Sequence, residues 1–269
     1  MSAADFREAE PQGQGIDRMQ NYRRAGTGPT VVLQHGFLGG SGYWLPQIQY
    51  LCPRFDVIAP DLPGFASSAR MAAPDSIDGF VGALIGLLDE LGVGTFSLVG
   101  HSMGGSIAQQ TALDHPDRLE RVVFYGASSI GEIPGRFETI ADSVEKLQED
   151  GIEKTAVRFA KSWFLHGDDA PAFDFCLQAG RGATVDGATS ALTAVKNWSS
   201  DDRLHEITTP ALVICGDGDR GTPPQRSMRL FEGLPNARLA ILPGAAHNLH
   251  LERSELFNQV VGDFLTGGV

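Results

Sequence analysis

Short apolar runs alternate along most of this chain with longer segments in which apolar residues recur at helical spacing. The short runs are rich in valine, isoleucine and leucine and lie between glycine, proline or polar residues, which predicts buried strands. The predicted strands include a pair ending in Thr30–Gln34, then Phe55–Ala59, Phe96–Val99, Arg121–Tyr125, Ala211–Cys215 and Arg238–Leu242. The predicted helices are Tyr43–Leu51, Ser76–Leu91, Ser102–Leu113, Pro224–Leu234 and Ser254–Leu265. The alternation predicts an α/β fold with a parallel sheet covered on both faces.

The alternation stops between residues 131 and 200. This segment is helical in character and rich in aromatic residues, which predicts an inserted helical cap. We therefore expect a core domain formed by residues 1–130 and 201–269 and a cap formed by residues 131–200. The first dozen residues are polar and predict a loose tail.

One serine lies where a predicted strand turns into a predicted helix. Gly100-His101-Ser102-Met103-Gly104 follows the strand Phe96–Val99 and has the form G-x-S-x-G. The two glycines permit a sharp turn that exposes the serine hydroxyl, so we expect Ser102 to be a nucleophile. The alternative is a serine that caps a glycine-flanked helix.

A serine hydroxyl needs a base, and the base needs an acid that orients it. His247 follows the last predicted strand in Pro243–His247, and His250 is the second candidate. Asp217 and Asp219 both follow the strand Ala211–Cys215. Because ligands bind beyond the carboxyl ends of parallel strands, all of these residues belong to the functional edge of the sheet.

The predicted chemistry also requires two donors for a developing oxyanion. The backbone amide of Met103 directly follows the nucleophile. The loop His35–Gly40 follows Thr30–Gln34 and contains three glycines, which let its backbone approach a ligand. We expect the amide of Phe37 to be the second donor.

At this point the sequence resembles the α/β-hydrolase family over nearly its whole length. The matching motifs are His35-Gly36-Phe37, the turn Asp61–Ser68 with Ala66 in place of a glycine, Gly100–Gly104, Gly216-x-x-Asp219 and Pro243-Gly244-x-x-His247. The resemblance implies a mostly parallel eight-stranded sheet flanked by helices, with an inserted helical cap. It also implies that Asp219 rather than Asp217 is the acid, in the order Ser102, Asp219, His247.

The expected function is hydrolysis of a small carboxylic ester or lactone through an acyl-enzyme, without a cofactor or metal. The substrate pocket candidates are the cap residues Trp163, Phe164, His166, Phe173 and Trp198. Three alternatives stay open: a carbon–carbon bond hydrolase of aromatic catabolism, a small-amide hydrolase, and a ligand-binding receptor built on the hydrolase fold. Carbon–carbon bond hydrolases of the family carry a cap arginine that faces the substrate carboxylate, for which Arg136, Arg158 and Arg181 are candidates.

Composition narrows the range of partners. The net charge of −12 repels nucleic acids and anionic lipids, so we expect no nucleic-acid partner. No stretch approaches about 20 apolar residues, so we expect no membrane span. The expected partner is a small-molecule substrate, as the predicted hydrolysis requires. The three cysteines lack C-x-x-C spacing, which disfavours a metal site. Residues 1–11 lack the features of a signal peptide, so we expect a cytoplasmic location. A homodimer through the cap or an edge strand is one option.

Overall fold

The computed structural model describes residues 7–8, 20–134 and 136–268. Most of the predicted tail, and most of the segment interpreted as lacking a signal peptide, lie outside these residues. Within the described part of the chain, no helix is long and apolar enough to cross a membrane.

Eight strands form one sheet in the order β1-β2-β4-β3-β5-β6-β7-β8. The strands are β1 (Arg7–Glu8), β2 (Tyr22–Ala25), β3 (Thr30–Gln34), β4 (Asp56–Pro60), β5 (Phe96–His101), β6 (Leu119–Tyr125), β7 (Ala211–Gly216) and β8 (Ala237–Leu242). The pairs β1–β2 and β2–β4 are antiparallel, and every pair from β4 to β8 is parallel. The prediction of a mostly parallel, eight-stranded sheet is confirmed, with strand ends within two residues of those expected.

Nine α-helices lie between and beyond these strands in the described residues. They are α1 (Leu45–Leu51), α2 (Ile77–Glu90), α3 (Met103–Asp114), α4 (Ile140–Trp163), α5 (Phe173–Arg181), α6 (Val185–Lys196), α7 (Pro224–Gly233), α8 (Leu249–Glu252) and α9 (Ser254–Leu265). Helix α4 is broken at Gly151, where φ is +72°. The segment between β6 and β7 contains α4, α5 and α6 and, in its described residues, no strand of the sheet.

The apolar strand residues are buried where helices cover both faces of the sheet. Every residue of β5 and of β7 is buried, as expected for the centre of a parallel sheet. Strand β8 is different, because it is an edge strand and Ile241 remains 38% exposed. The expectation that all strands are covered on both faces is therefore wrong for β8.

Candidate active site

Ser102 occupies a strained turn between β5 and α3. Its φ is +57° and its ψ is −119°, a region that residues with a Cβ atom rarely adopt. The Ser102 amide donates to the carbonyl of Tyr125 at the end of β6, with 2.8 Å between nitrogen and oxygen. Helix α3 begins at the next residue, so Ser102 lies at the positive end of the helix dipole.

The turn requires glycine at positions 100 and 104, because backbone atoms lie where a Cβ would be. A Cβ on Gly100 would lie 2.2 Å from the carbonyl oxygen of Gly104, and one on Gly104 would lie 2.4 Å from the carbonyl oxygen of Gln34. Any side chain at either position would therefore push the strand and the helix apart. The G-x-S-x-G pattern is a steric requirement of the turn that carries Ser102.

Asp219 and His247 form a buried pair on the loops that follow β7 and β8. The distance from His247 Nδ1 to Asp219 Oδ2 is 2.8 Å, and both residues are almost fully buried. Asp219 Oδ1 accepts from the amides of Gly221 and Thr222, each at 2.8 Å. Because an ionised carboxylate only accepts, Nδ1 carries the proton and Nε2 is left with a lone pair. This is the tautomer that a general base needs.

Ser102 and His247 line the same cleft. Its empty space, including the open mouth, is about 630 Å³. Around Ser102 the cleft is lined by core residues that include Phe37, Met103, Ser106, Ala127, Gly221 and Thr222. Its other wall comes from the segment between β6 and β7 and includes Ile133, Arg136, Phe137, Ile140, Phe159, Trp163, Leu192 and Val195. The cleft is therefore mainly apolar and lies between the sheet edge and the helical segment.

The loop His35–Gly40 lies directly against the turn that carries Ser102. A Cβ added to Gly36 would be 2.9 Å from Ser102 Cβ and 3.2 Å from the Met103 amide nitrogen. Phe37 lines the cleft, and its ring centroid is 5.0 Å from that of Phe159. The two amides chosen from the sequence, those of Phe37 and Met103, thus belong to adjoining segments beside Ser102.

The second candidates for base and acid have other contacts. His250 is fully buried, and its Nδ1 lies 3.0 Å from the Tyr125 hydroxyl. Burial, with a smaller contribution from His247, holds the pKa of His250 well below its usual value, so its imidazole is neutral. Asp217 Oδ1 accepts from the amide of Gly244 at 2.8 Å, which ties two loops together. Neither residue lines the cleft.

Of the five cap residues chosen as pocket candidates, only Trp163 lines the cleft. Phe164 and Phe173 are buried against each other, with ring centroids 6.2 Å apart. The Trp198 indole is buried and donates to the side chain of Gln110 in α3, at 2.9 Å. His166 is exposed. Phe164, Phe173 and Trp198 therefore serve packing within residues 131–200 and against α3, and His166 faces solvent.

The structure separates the three candidate cap arginines. Arg181 pairs with Glu153 at 2.9 Å, and Arg158 lies 3.5 Å from the Glu138 carboxylate. Arg136 alone of the three lines the cleft, where its guanidinium carbon lies 5.1 Å from the ring centroid of Phe137. Burial lowers the pKa of Arg136 from its usual value, but an arginine stays charged in proteins. Phe137 and Phe159 also line the cleft, although they are not among the pocket candidates, because no motif in the sequence singles them out.

The described part of the chain contains no candidate metal site. No group of three or more histidine, cysteine, aspartate or glutamate side chains there is arranged to hold an ion. All three cysteines are free thiols, and Cys215 is buried in β7 as expected from its apolar neighbours.

Comparison with known proteins agrees with this architecture. Residues 29–254 match the family model described as alpha/beta hydrolase fold. A protein named "Putative carbamate hydrolase RutD", from Caulobacter sp. (strain K31), is 34% identical over 88% of this chain and 91% of its own length. The 2-hydroxy-6-oxo-6-phenylhexa-2,4-dienoate hydrolase of Burkholderia cepacia is 30% identical over 91% of this chain and 90% of its own.

A solved structure supports the same relationship. The enol-lactonase from Burkholderia xenovorans LB400 superposes with a TM-score of 0.84 and 26% identity, covering 91% of this chain and 96% of the other. The names of all three proteins describe a hydrolytic activity, and the bonds that they name differ. The chain belongs to the α/β-hydrolase family and is a hydrolase.

Proposed function

We propose that this protein is a serine hydrolase that cleaves a small carboxylic ester or lactone through an acyl-enzyme. The observation that carries the proposal is the pairing of His247 with Asp219 at 2.8 Å beside the cleft that Ser102 also lines. A nucleophile, a base with its lone pair free and an orienting acid are the three groups that acyl transfer needs.

In the proposed mechanism Ser102 Oγ attacks the substrate carbonyl while His247 Nε2 takes the hydroxyl proton. The amides of Phe37 and Met103 stabilise the oxyanion, and Asp219 stabilises the imidazolium that forms. The imidazolium then protonates the leaving alcohol, which leaves an acyl-Ser102 ester. His247 next removes a proton from water as the water oxygen attacks the acyl carbonyl. The imidazolium then returns that proton to Ser102 Oγ as the bond between Oγ and the acyl carbon breaks, which releases the carboxylic acid and regenerates both residues.

We further propose that residues 131–200 act as a cap that shapes the substrate pocket. This segment supplies most of the apolar wall opposite Ser102, including Phe159, Trp163 and Leu192. Small apolar acyl or alcohol groups suit such a wall.

One charged side chain on this wall favours substrates that carry an anionic group. Among the described residues that line the cleft, Arg136 is the one arginine or lysine, and there is no aspartate or glutamate. Its guanidinium also has no carboxylate within 4.0 Å in the described part of the chain; its partners there are the Glu138 carbonyl and Ser143 Oγ. A substrate carboxylate would supply the bidentate partner that arginine prefers.

The proposal is tested with p-nitrophenyl esters from acetate to laurate. Wild type is expected to hydrolyse the short esters, and Ser102→Ala to lose at least about 10³-fold in kcat. Ser106→Ala is the matched control, because it removes a hydroxyl from the same cleft one turn along α3. Equal turnover by wild type and Ser102→Ala would refute the assignment of the nucleophile.

A second candidate function is hydrolysis of a carbon–carbon bond, favoured by the relationship to the Burkholderia cepacia dienoate hydrolase. The same three residues would serve it. Stoichiometric loss of the absorbance of a conjugated diketone substrate, without turnover of any ester, would favour this function. Faster cleavage of a carbamate than of the matched ester would favour the activity named for the Caulobacter relative. Faster cleavage of an amide than of the matched ester would favour a small-amide hydrolase. Tight binding of one of these compounds with negligible turnover would instead indicate a ligand-binding receptor built on the hydrolase fold.

A further inference from the structure

Three consecutive cap residues are tied to the loops that carry Asp219 and His247. We call these residues, Trp163–Leu165 at the end of α4, the cap strap. The Trp163 carbonyl accepts from the amide of Asn248 at 3.0 Å. The Phe164 carbonyl accepts from Arg220 Nη2 at 2.7 Å, and the Leu165 amide donates to Glu252 Oε1 at 2.8 Å. Every residue of the strap therefore has a partner on the core.

Two of these partners are the chain neighbours of the candidate acid and base. Arg220 directly follows Asp219, and Asn248 directly follows His247. Glu252 reaches the same region through its second oxygen, because Oε2 accepts from the amide of Ala246 at 2.7 Å. One carboxylate thus joins the cap strap to the residue immediately before His247.

Side-chain contacts of the strap point to the same loops. The Trp163 ring lines the cleft, and its centroid is 6.0 Å from that of His247. A Cβ on Gly218 would lie 2.7 Å from Leu165 Cδ1, so Leu165 packs against the loop that carries Asp219. The cap strap therefore contacts the cleft through Trp163, and it also contacts the loops that carry Asp219 and His247.

Asn248 extends this connection into the cap and the core. Its Oδ1 accepts from the Tyr43 hydroxyl, and its Nδ2 lies 3.3 Å from Cys176 Sγ in α5. Because Asn248 is fully buried, these contacts are shielded from water. The backbone on both sides of His247 is therefore fixed by groups that also contact the cap.

We propose that Glu252 is a positioning residue that couples the cap to His247 through the cap strap. This inference rests on the proposed function, since it assigns Glu252 a role in aligning the proposed base. Hydrogen bonds from amides to a carboxylate are stronger than those between neutral groups. The two bonds to Glu252 hold the Leu165 amide and the Ala246 amide at fixed separation, and with them Trp163 and His247.

The test replaces Glu252 by glutamine. Glu252→Gln keeps the size of the side chain but converts one acceptor into a donor, so one of the two amides loses its partner. Glu255→Gln is the matched control, because Glu255 is exposed in the first turn of α9. We measure kcat and KM on a short p-nitrophenyl ester, the Tm, and the downfield proton resonance of His247 Nδ1 by NMR.

Glu252→Gln is expected to lower kcat about ten-fold with KM within about two-fold, because the base is misaligned while the cleft persists. The Nδ1 proton resonance is expected to shift or broaden, and Glu255→Gln is expected to match wild type in both. Unchanged kcat and an unchanged resonance would overturn the proposal. A lower Tm with an unchanged resonance in the folded protein would also overturn it, since Glu252 would then be a structural tie only.

A second variant covers the case in which Glu252→Gln does not fold. Arg220→Gln loosens the strap from the acid loop and is expected to lower kcat with the same change in the resonance. When both variants fold, the double variant should lose less than the product of the single losses, because both bonds hold one strap. Multiplicative losses would contradict the coupling.

If wild type hydrolyses no ester, the proposed function fails. The resonance of His247 Nδ1 still tests whether the cap strap positions His247.

Discussion

Replacement of Asp219 by asparagine tests how the hydrogen-bond pattern sets the tautomer of His247. Asp219 Oδ1 accepts from the amides of Gly221 and Thr222, and Oδ2 accepts from His247 Nδ1. An asparagine has one acceptor oxygen, which is best used on the two backbone amides. Its NH₂ group then faces Nδ1, which must become an acceptor. The proton moves to Nε2, and His247 can no longer accept the proton of Ser102.

The expected loss in kcat for Asp219→Asn is about 10³- to 10⁴-fold, or roughly 4–5.5 kcal/mol of transition-state stabilisation. KM should change little, because Asp219 does not line the cleft. Asp217→Asn is the control, since Asp217 binds the Gly244 amide near the surface, and it should keep kcat within about ten-fold. Steady-state kinetics on one p-nitrophenyl ester measure both variants. Equal losses in the two variants would refute the assignment of Asp219.

Three further predictions concern stability and specificity. Burial holds the pKa values of His101 and His250 well below their usual value. Below about pH 6.5 a histidine in the unfolded chain takes up a proton that the buried one does not. The stability that each neutral histidine contributes is therefore complete above about pH 6.5 and is lost as the pH falls below it. The free energy of unfolding should fall by about 1 kcal/mol per histidine between pH 6.5 and 5.5, and His250→Gln should reduce that slope in urea titrations; an unchanged slope would contradict the burial argument. Ala66 has a φ of +46°, so Ala66→Gly should relieve backbone strain and raise the free energy of unfolding by about 0.5–1 kcal/mol. Calorimetry should show a Tm that is higher by about 1–3 °C. A lower Tm would mean that the turn is not strained. Arg136→Gln should raise KM about ten-fold for an ester that carries a terminal carboxylate and leave the neutral analogue unaffected; equal effects on both esters would remove the anion preference.

The loops of the candidate site were predictable because their chemistry depends on local rules. The turn at Ser102 needs glycine at positions 100 and 104, where neighbouring carbonyl oxygens leave no space for a Cβ. Parallel strands bring the ends of β5, β7 and β8 to one edge, so a serine, an aspartate and a histidine after them converge. The left-handed φ of Ala66 likewise explains the glycine that the family turn carries at that position.

The substrate pocket was not predictable to the same extent. Phe164, Phe173 and Trp198 are as aromatic as Trp163, yet they are buried in packing contacts. Which face of a helix in residues 131–200 lines the cleft depends on how the helices pack against each other, and no sequence motif specifies this packing. The exposure of Ile241 in β8 was missed for a related reason, because an apolar run does not indicate which strand forms the edge of the sheet.

Trapping the acyl-enzyme identifies the residue that attacks the substrate. Wild type and Ser102→Ala are mixed rapidly with a short p-nitrophenyl ester, quenched in acid during the first turnover and digested for mass spectrometry. If Ser102 is the nucleophile, wild type gives a burst of p-nitrophenol and an acyl group on the peptide that contains Ser102, and both are absent from the variant. Turnover of the ester by wild type without acylation of that peptide, or with acylation of another residue, would show that Ser102 is not the nucleophile.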